Sequence, residues 1–264
     1  MSIQHISTDK KTGRTTFLLG DTNYAIANAL RRTILDHVPT MAIDEVEFHK
    51  NSSVLYDEII SHRLGLLVIA TDLKSYTIKN ECKCGGEGCA RCTLKMTLKA
   101  KGPCIVYAKD IKSKDPKVKP VHPDTPIVKL LKGQELELET TAVLGRGADH
   151  VKWSPGHAWY KRKPLITIDH KKLKNAQETA ASCPVDVYTA KDGKLAINKD
   201  NELACTLCMA CVDTSQGAVQ VQGSSTEFVF NVEPWGQLDV REIVTNALDA
   251  LSGKLDELAD FIAK

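Results

Sequence analysis

The stretch NALRRTILDHVPTMAIDEVEF, residues 28–48, joins a helical pattern directly to a strand pattern. The helix is predicted to begin after a capping side chain at Asp21 or Thr22 and to end near His37, just before Pro39. Its apolar residues recur at helical spacing and predict one buried face: Ile26, Ala29, Leu30 and Ile34. MAIDEVEF (41–48) alternates like a β-strand. This stretch therefore predicts an α+β protein.

Strand patterns surround this stretch. TTFLLG (15–20) predicts a short strand, and residues 93–108 and 134–144 are typical of β-structure. LYDEIISHRLGLLVI (55–69) predicts a helix that runs into a strand, with Gly65 as the break. The segment 109–126 contains four prolines and many lysines. Because three aspartates are interspersed there and no aromatic residue is, we predict a solvated loop and no phosphate-binding surface.

Composition excludes several classes of protein. The 264 residues are 42% hydrophobic and 26% charged, which is ordinary for a globular protein. The formal net charge of +2 gives no reason to expect a nucleic-acid or membrane partner. The N-terminal residues lack an apolar leader, and the longest apolar run, LGLLVIA (64–70), is too short to span a bilayer. We expect a cytoplasmic protein without sequence-specific nucleic-acid contacts.

The chain has nine cysteines, and eight of them fall in two groups, at 82–92 and 183–211. In a reducing cytoplasm such groups indicate metal more often than disulfides, although intracellular proteins of hyperthermophiles are an exception. Disulfides therefore stay open as an alternative. Cys104 stands alone and is expected to be a small buried apolar residue.

The second group contains ELACTLCMACVDTSQGA (202–218), in which two residues separate each cysteine from the next. Bacterial ferredoxins use C-x2-C-x2-C-x3-C-P, and the last cysteine of each run ligates the other cluster. Four cysteines complete one such site: Cys183, Cys205, Cys208 and Cys211. The positions that would form the other site hold Leu173, Ala176, Thr179 and Ser215. Residues 171–222 therefore resemble a two-cluster ferredoxin fold with one cluster erased.

This spacing indicates one iron–sulfur cluster, because soft thiolates select iron–sulfur clusters and a tight turning loop can hold three corners of a cube. The number of irons is open between [3Fe-4S] and [4Fe-4S]. In the three-iron case Cys183 would be free or bonded in a disulfide, and a zinc site remains the main competing interpretation.

The first group, CKCGGEGCARC (82–92), places Cys82, Cys84, Cys89 and Cys92 around three glycines. The glycines allow the loop to fold back, so that four thiolates can converge on one zinc ion. Two disulfides or free thiols remain possible.

The C-terminal segment carries apolar residues at alternating spacings of four and three: Val244, Leu248, Leu251, Leu255, Leu258 and Ile262. Asp239 and Glu242 form a plausible cap at the start of this helix. The spacing is typical of a helix that meets another helix, and it also fits a helix packed on the chain's own sheet.

Three motifs occur in order: NALRRTILDHVPTMAIDEVEF, DEIISHRLGLL (57–67) and DHVKWSPGHAWY (149–160). They resemble the alpha-type assembly subunits of cellular RNA polymerase, most closely the archaeal members, which are similar to the third-largest subunit of eukaryotic RNA polymerase II. The cysteine loop at 82–92 is similar to the zinc loop of the eukaryotic relative, with one extra residue. A ferredoxin-like insert is a feature of many archaeal members.

The resemblance implies three domains: a split dimerisation domain (1–45 and 223–264, joined by 159–170), a mostly β insert domain (46–158) and an iron–sulfur domain (171–222). It implies that NALRRTIL and the C-terminal helix meet a small alpha-like, L-type subunit. Arg31 and Arg32 would contact a large catalytic subunit, and small assembly subunits are further expected partners. The implied function is a non-catalytic scaffold of the nucleotidyltransferase. A redox-active or redox-sensing iron–sulfur protein is the alternative.

Overall fold

A computed structural model describes residues 1–263 of the chain. These residues form α-helices and β-strands in the following order: β1 (Ser2–Thr8), β2 (Thr15–Gly20), α1 (Tyr24–His37), β3 (Thr40–Asn51), α2 (Asp57–Gly65), β4 (Thr93–Lys101), β5 (Cys104–Tyr107), β6 (Lys112–Ser113), β7 (Pro126–Leu130), β8 (Glu135–Gly145), β9 (Gly156–Ile168), α3 (Ala176–Ala181), β10 (Tyr188–Lys191), β11 (Lys194–Ile197), α4 (Ala210–Thr214), β12 (Val219–Pro234) and α5 (Val240–Ile262). The predicted mixture of helices and strands is confirmed, and strands predominate.

The chain divides into two compact units. The first unit contains Met1–Thr8, Thr15–Asn28 and Trp159–Asn231. The second unit contains Asp9–Arg14, Ala29–Ala158 and the residues from Val232 onward. Each unit is therefore built from segments that are distant in sequence.

The first unit contains a sheet with the strand order β1-β2-β12-β9. β1 and β2 pair antiparallel, with Ser2 opposite Gly20 and Thr8 opposite Thr15. Aromatic rings pack on this sheet: Phe17 stacks on Phe230 with ring centroids 5.2 Å apart, and Tyr160 contacts Phe230 at 5.9 Å. Such ring pairs stabilise the sheet beyond the apolar area that they bury.

A smaller module lies between β9 and β12 in sequence. β10 and β11 form a hairpin whose turn residues, Asp192 and Gly193, both have positive φ, as the usual two-residue hairpin turn requires. Buried residues of α3, the hairpin, α4 and the start of β12 form one core: Ala176, Val187, Tyr188, Leu195, Cys205, Cys211, Val219 and Val221. Two cysteines are thus part of the core of this module.

The second unit is built on a sheet with the order β3-β8-β4-β6 and a separate pair, β5-β7. Alternate residues of β3, β4 and β8 pack with α2 and β7 around a single core, which includes Met41, Ile60, Met96 and Leu138. Lysines and glutamates pair on neighbouring strands in this unit, as in Lys99–Glu137 at 2.8 Å and Lys101–Glu135 at 3.1 Å. Such opposite charges on adjacent strands stabilise the register in which Lys99 lies opposite Glu137 and Lys101 opposite Glu135.

Several predicted details of the elements are wrong. Asn23 caps α1, because its Oδ1 accepts a hydrogen bond from the backbone N–H of Ile26 at 3.1 Å; Asp21 and Thr22 do not. Ile26 is exposed, and the buried face of α1 contains Ala27, Leu30 and Ile34. The strand predicted after Gly65 is reduced to one isolated bridge between Ile69 and Pro120.

Candidate metal centres and assembly surface

The four cysteines of the loop at 82–92 converge. The Sγ atoms of Cys82 and Cys89 are 3.6 Å apart, those of Cys84 and Cys92 are 3.7 Å apart, and those of Cys89 and Cys92 are 3.9 Å apart. All four sulfur atoms lie within 4.8 Å of one another, and none is in a disulfide. This arrangement can hold one metal ion.

The backbone of this loop explains the convergence. Gly85, Gly86 and Gly88 all have positive φ, a conformation that other residues adopt only with strain. The N–H of Gly85 donates to the carbonyl of Cys82 at 3.0 Å, and the N–H of Cys92 donates to the carbonyl of Cys89 at 3.0 Å. Each pair of neighbouring cysteines therefore sits on its own tight turn, and the two turns face each other.

The pKa values of two thiols in this loop are shifted in opposite directions. Backbone N–H groups of Cys89 and Gly88 lower the pKa of Cys84 to about 5. Burial raises the pKa of Cys92 to about 12. A thiol of low pKa beside a buried thiol of high pKa belongs to a donor set in which a soft cation can replace protons, as metal binding to cysteine requires.

The second cysteine group lies around the core of the small module. Cys205 and Cys211 are buried, Cys183 is half-buried and Cys208 is exposed. The backbone N–H of Leu207 donates to the Sγ of Cys205 at 3.5 Å, and that of Val187 donates to the Sγ of Cys183 at 3.4 Å. Hydrogen bonds of this kind to cysteine sulfur accompany iron–sulfur ligation.

The loop that carries Cys205, Cys208 and Cys211 changes direction twice. Leu207 and Met209, one on each side of Cys208, both have positive φ, at 59° and 66°. For residues with large side chains this conformation is uncommon and marks a locally strained backbone. Each cysteine of this loop is therefore separated from the next by one residue with a left-handed backbone conformation.

No three sulfur atoms of this second group, whose cysteines all lie in the described part of the chain, are all within 4.8 Å of one another. Within residues 1–263, the loop at 82–92 is the only place where three or more potential ligand atoms all lie within 4.8 Å. An iron–sulfur cluster binds its thiolates through separate irons and so does not require that spacing.

Two side chains that sequence patterns did not single out approach these cysteines. The hydroxyl of Tyr188 donates to the Sγ of Cys211 at 3.3 Å, and burial raises the Tyr188 pKa. The Nζ of Lys161 donates to the carbonyl of Cys205 at 3.0 Å, and burial lowers the Lys161 pKa. Both residues lie outside the cysteine motif, so only the fold identifies them.

Three of the positions that would form the second cluster of a two-cluster ferredoxin belong to the packed interior. Ala176, Thr179 and Ser215 are buried. The Oγ of Ser215 accepts from the N–H of Val219 at 2.9 Å, so it supports the turn after α4. The Oγ1 of Thr179 has no hydrogen-bond partner. These three side chains occupy the interior of the small module.

The apolar seam of α5 is only partly covered. The helix is capped by Asp239, whose side chain accepts from the N–H of Glu242 at 2.7 Å, as predicted. Its fully buried residues are Ile243 and Ala247, and the seam residues Val244, Leu248 and Leu251 are half-buried. Leu255, Leu258 and Ile262 are 60%, 53% and 74% exposed. The alternative in which the whole seam packs on the chain's own sheet is therefore wrong for the last turns.

The exposed end of α5 includes a residue that the spacing rule missed. Phe261 is 78% exposed and stands one residue before Ile262, outside the four-three repeat. On α1, Arg32 has a side chain that is 68% exposed, and Arg31 is half-buried.

Cys104 is not the buried apolar residue that was expected. It lies on β5 and is exposed, and its Sγ contacts the carbonyl of Lys101 at 3.5 Å. The expectation was wrong because Cys104 is the first residue of β5 and is uncovered at the end of the strand, whereas Val106, two residues further along, is buried. Among residues 1–263, no helix combines the length and the apolar character needed to cross a membrane.

Comparison with known proteins identifies the relatives of this chain. Residues 43–169 match the RNA polymerase Rpb3/RpoA insert domain family. The chain is 39% identical over 245 residues to DNA-directed RNA polymerase subunit Rpo3 of Methanosarcina acetivorans, covering 92% of this chain and 91% of that protein. It is 36% identical over 263 residues to the Rpo3 subunit of Pyrococcus furiosus, covering 97% and 95%. The Rpo3 subunit of Archaeoglobus fulgidus is 35% identical over 255 residues, covering 96% of both chains. The chain therefore belongs to the Rpo3 family of archaeal DNA-directed RNA polymerase subunits, the Rpb3-like members of the alpha type.

Proposed function

We propose that this chain is a non-catalytic assembly subunit of a DNA-directed RNA polymerase. The observation that carries the proposal is the similarity to Rpo3 subunits over more than nine-tenths of the chain. The chain partners other polymerase subunits in this role. No observation favours the redox alternative.

The specific partner of α5 is a small alpha-like, L-type subunit. In support, the stripe of Leu255, Leu258 and Ile262 is exposed although each such side chain stabilises by about 1.5–3 kcal/mol when it is fully buried. A partner helix would cover this stripe at the spacing that the repeat provides. Arg31 and Arg32 of α1 are the proposed contacts with a large catalytic subunit, and small assembly subunits complete the partners.

The test places charges in the exposed part of the stripe. Leu255→Asp with Leu258→Asp changes side chains that this chain leaves exposed, so the chain should fold normally. We expect the double variant to lose copurification with the small alpha-like subunit and with the large subunits when all are coexpressed. Pull-down and size-exclusion chromatography measure this loss.

The matched control adds the same charge to the flank of the same helix. Thr245→Asp with Ser252→Asp also changes two exposed residues, and both lie off the apolar stripe. This control should assemble like the wild type. Undisturbed assembly of the leucine variant would contradict the proposal.

The loop at 82–92 is proposed to bind one zinc ion. Four thiolates at the usual Zn–S distance of about 2.3 Å from a tetrahedral ion lie about 3.8 Å from one another. Three of the sulfur pairs here are separated by 3.6–3.9 Å, which supports this assignment. Bound there, zinc would fix a loop too rich in glycine to order itself.

Cys183, Cys205, Cys208 and Cys211 are proposed to hold one iron–sulfur cluster, either [3Fe-4S] or [4Fe-4S]. Support comes from the spacing of the cysteines, the hydrogen bonds to two of their sulfur atoms and the small core on which they lie. The cluster would act as a structural staple, because a module of about fifty residues gains most from such a cross-link.

Metal analysis of anaerobically purified protein tests both sites. Cys208→Ser should lose iron and its brown colour while zinc remains, and Cys92→Ser should lose zinc while iron remains. Cys104→Ser is the control and should retain both metals, because Cys104 lies outside both groups. A folded, colourless wild type without iron or zinc would contradict both assignments.

The domain division that accompanies this function has a dimerisation domain of residues 1–45 and 223–264, joined by 159–170. An insert domain of residues 46–158 and an iron–sulfur domain of residues 171–222 complete it. We place the assembled subunit in the cytoplasm.

A further inference from the structure

Lys161 connects a strand of the main sheet in the first unit to the cysteine loop of the small module. It lies on β9, and its Nζ donates to the carbonyl oxygen of Cys205 at 3.0 Å, across 44 residues of sequence. The side chain is half-buried. Lys161 therefore places a cation in contact with the backbone of one of the four cysteines proposed as cluster ligands.

The charge of Lys161 has no carboxylate partner in the part of the chain that the structure describes. Within residues 1–263, no carboxylate lies within 4.0 Å of its Nζ. The neighbouring cations on β9 differ: Lys163 pairs with both carboxylate oxygens of Glu227, at 3.0 and 3.1 Å. Arg162, which contacts the neutral hydroxyl of Tyr24 at 3.2 Å, is exposed to solvent. A partly desolvated cation without a counter-ion is costly, and proteins rarely keep one.

A cluster held by thiolates supplies the missing negative charge. The cysteine thiolates contribute more negative charge than the core of iron and sulfide ions offsets, and the net charge of a cluster is one of the terms that set its reduction potential. The carbonyl to which Lys161 donates belongs to Cys205, whose buried sulfur faces the module core. The cation is therefore close to the place where this charge would lie.

We propose that Lys161 is the counter-cation of the iron–sulfur cluster and a positioning residue for the loop that carries Cys205. This inference rests on the proposed iron–sulfur site. Lys161 holds the backbone of Cys205 against β9 and offsets part of the charge of the cluster. It should favour the reduced state, which carries one more negative charge.

The experiment compares Lys161→Gln with Lys161→Arg and Lys163→Gln in the anaerobic full-length chain. In a redox titration, dithionite donates one electron to the cluster and no protein bond changes. At the wild-type midpoint we expect Lys161→Gln to lower the ratio of reduced to oxidised cluster about tenfold, which for one electron corresponds to about 59 mV. Lys161→Arg should restore the wild-type ratio, because it restores the charge.

Lys163→Gln is the matched control, since it removes a cation of the same strand that already has a carboxylate partner. Its midpoint should equal that of the wild type. A second measurement follows the bleaching of the cluster by a chelator, which should be faster for Lys161→Gln and unchanged for Lys163→Gln. Equal midpoints and equal bleaching rates for Lys161→Gln and wild type would overturn the inference.

The possible outcomes distinguish a failure of this inference from a failure of the iron–sulfur site on which it rests. A wild type without iron contradicts the iron–sulfur site itself. If Lys161→Gln assembles no cluster, it has no midpoint to measure, and urea unfolding of the metal-free chains then tests the inference. Loss of an uncompensated cation should then raise the unfolding midpoint of metal-free Lys161→Gln above that of metal-free wild type, and an equal or lower midpoint overturns the inference.

Discussion

Thr179 is a fully buried residue whose hydroxyl oxygen lacks a hydrogen-bond partner. A buried polar group without a partner costs about 1–3 kcal/mol. Thr179→Val keeps the shape and removes the hydroxyl, so we predict that it stabilises the chain by about 1 kcal/mol. Urea unfolding followed by circular dichroism of the small module's transition measures the change.

Thr40→Val is the control for this prediction. Thr40 is also fully buried, but its Oγ1 donates to the carbonyl of Trp153 at 2.7 Å. The same substitution there should destabilise by about 1–2 kcal/mol, because it leaves that carbonyl without this donor. Destabilisation by Thr179→Val of similar size would show that its hydroxyl is satisfied in solution.

At the scale of residues, the shared cluster of Cys183, Cys205, Cys208 and Cys211 remains a prediction. Spacing correctly predicted that the four cysteines at 82–92 converge, because ligand chemistry fixes short distances along the chain. It could not locate Lys161 or Tyr188, which reach Cys205 and Cys211 only through folding, from 44 and 23 residues away. It also failed for Cys104, because a residue type does not state whether the end of a strand is covered by the core.

At the scale of elements, α1 and α5 meet through a polar contact. The Nζ of Lys254 lies 2.7 Å from the Nε2 of His37, so the neutral imidazole accepts from the ammonium. Burial first, and then the charge of Lys254, lower the His37 pKa. Among the other charges nearby, Asp36 raises this pKa, and Arg146 and Arg32 lower it.

This contact predicts a pH dependence. With the His37 pKa lowered in the folded state, the unfolded chain binds a proton at a higher pH than the folded chain does. The stability that depends on neutral His37 is therefore complete above about pH 6.5 and decreases as the pH falls below that value. His37→Gln should flatten the fall in the thermal midpoint between about pH 7 and 5. An equally steep fall in that variant would contradict the assignment.

The sequence predicted where most helices and strands lie, because periodicity and capping residues act locally. It gave α1 the wrong cap and placed Ile26 on the buried face, since a shift by one residue still fits a helical repeat. It left two interpretations open for α5. In the structure the first turns of α5 are covered by this chain, whereas the last turns are exposed.

At the scale of the whole molecule, the two cysteine groups belong to different units with separate cores. We predict that removing the metals has local effects. A zinc chelator should make residues 77–93 sensitive to protease and leave residues 171–222 protected, and oxidative loss of iron should do the reverse. Mass spectrometry of the first cleavage products distinguishes the two, and general cleavage after either treatment would contradict this prediction.

The exposed end of α5 also affects the amount of this subunit that a cell can maintain. A copy without its partner leaves Leu255, Leu258, Phe261 and Ile262 open to solvent. Exposed apolar stripes promote aggregation and recognition by chaperones and proteases. We expect surplus copies to be short-lived, so that degradation, as well as synthesis, matches the amount of this subunit to that of its partners.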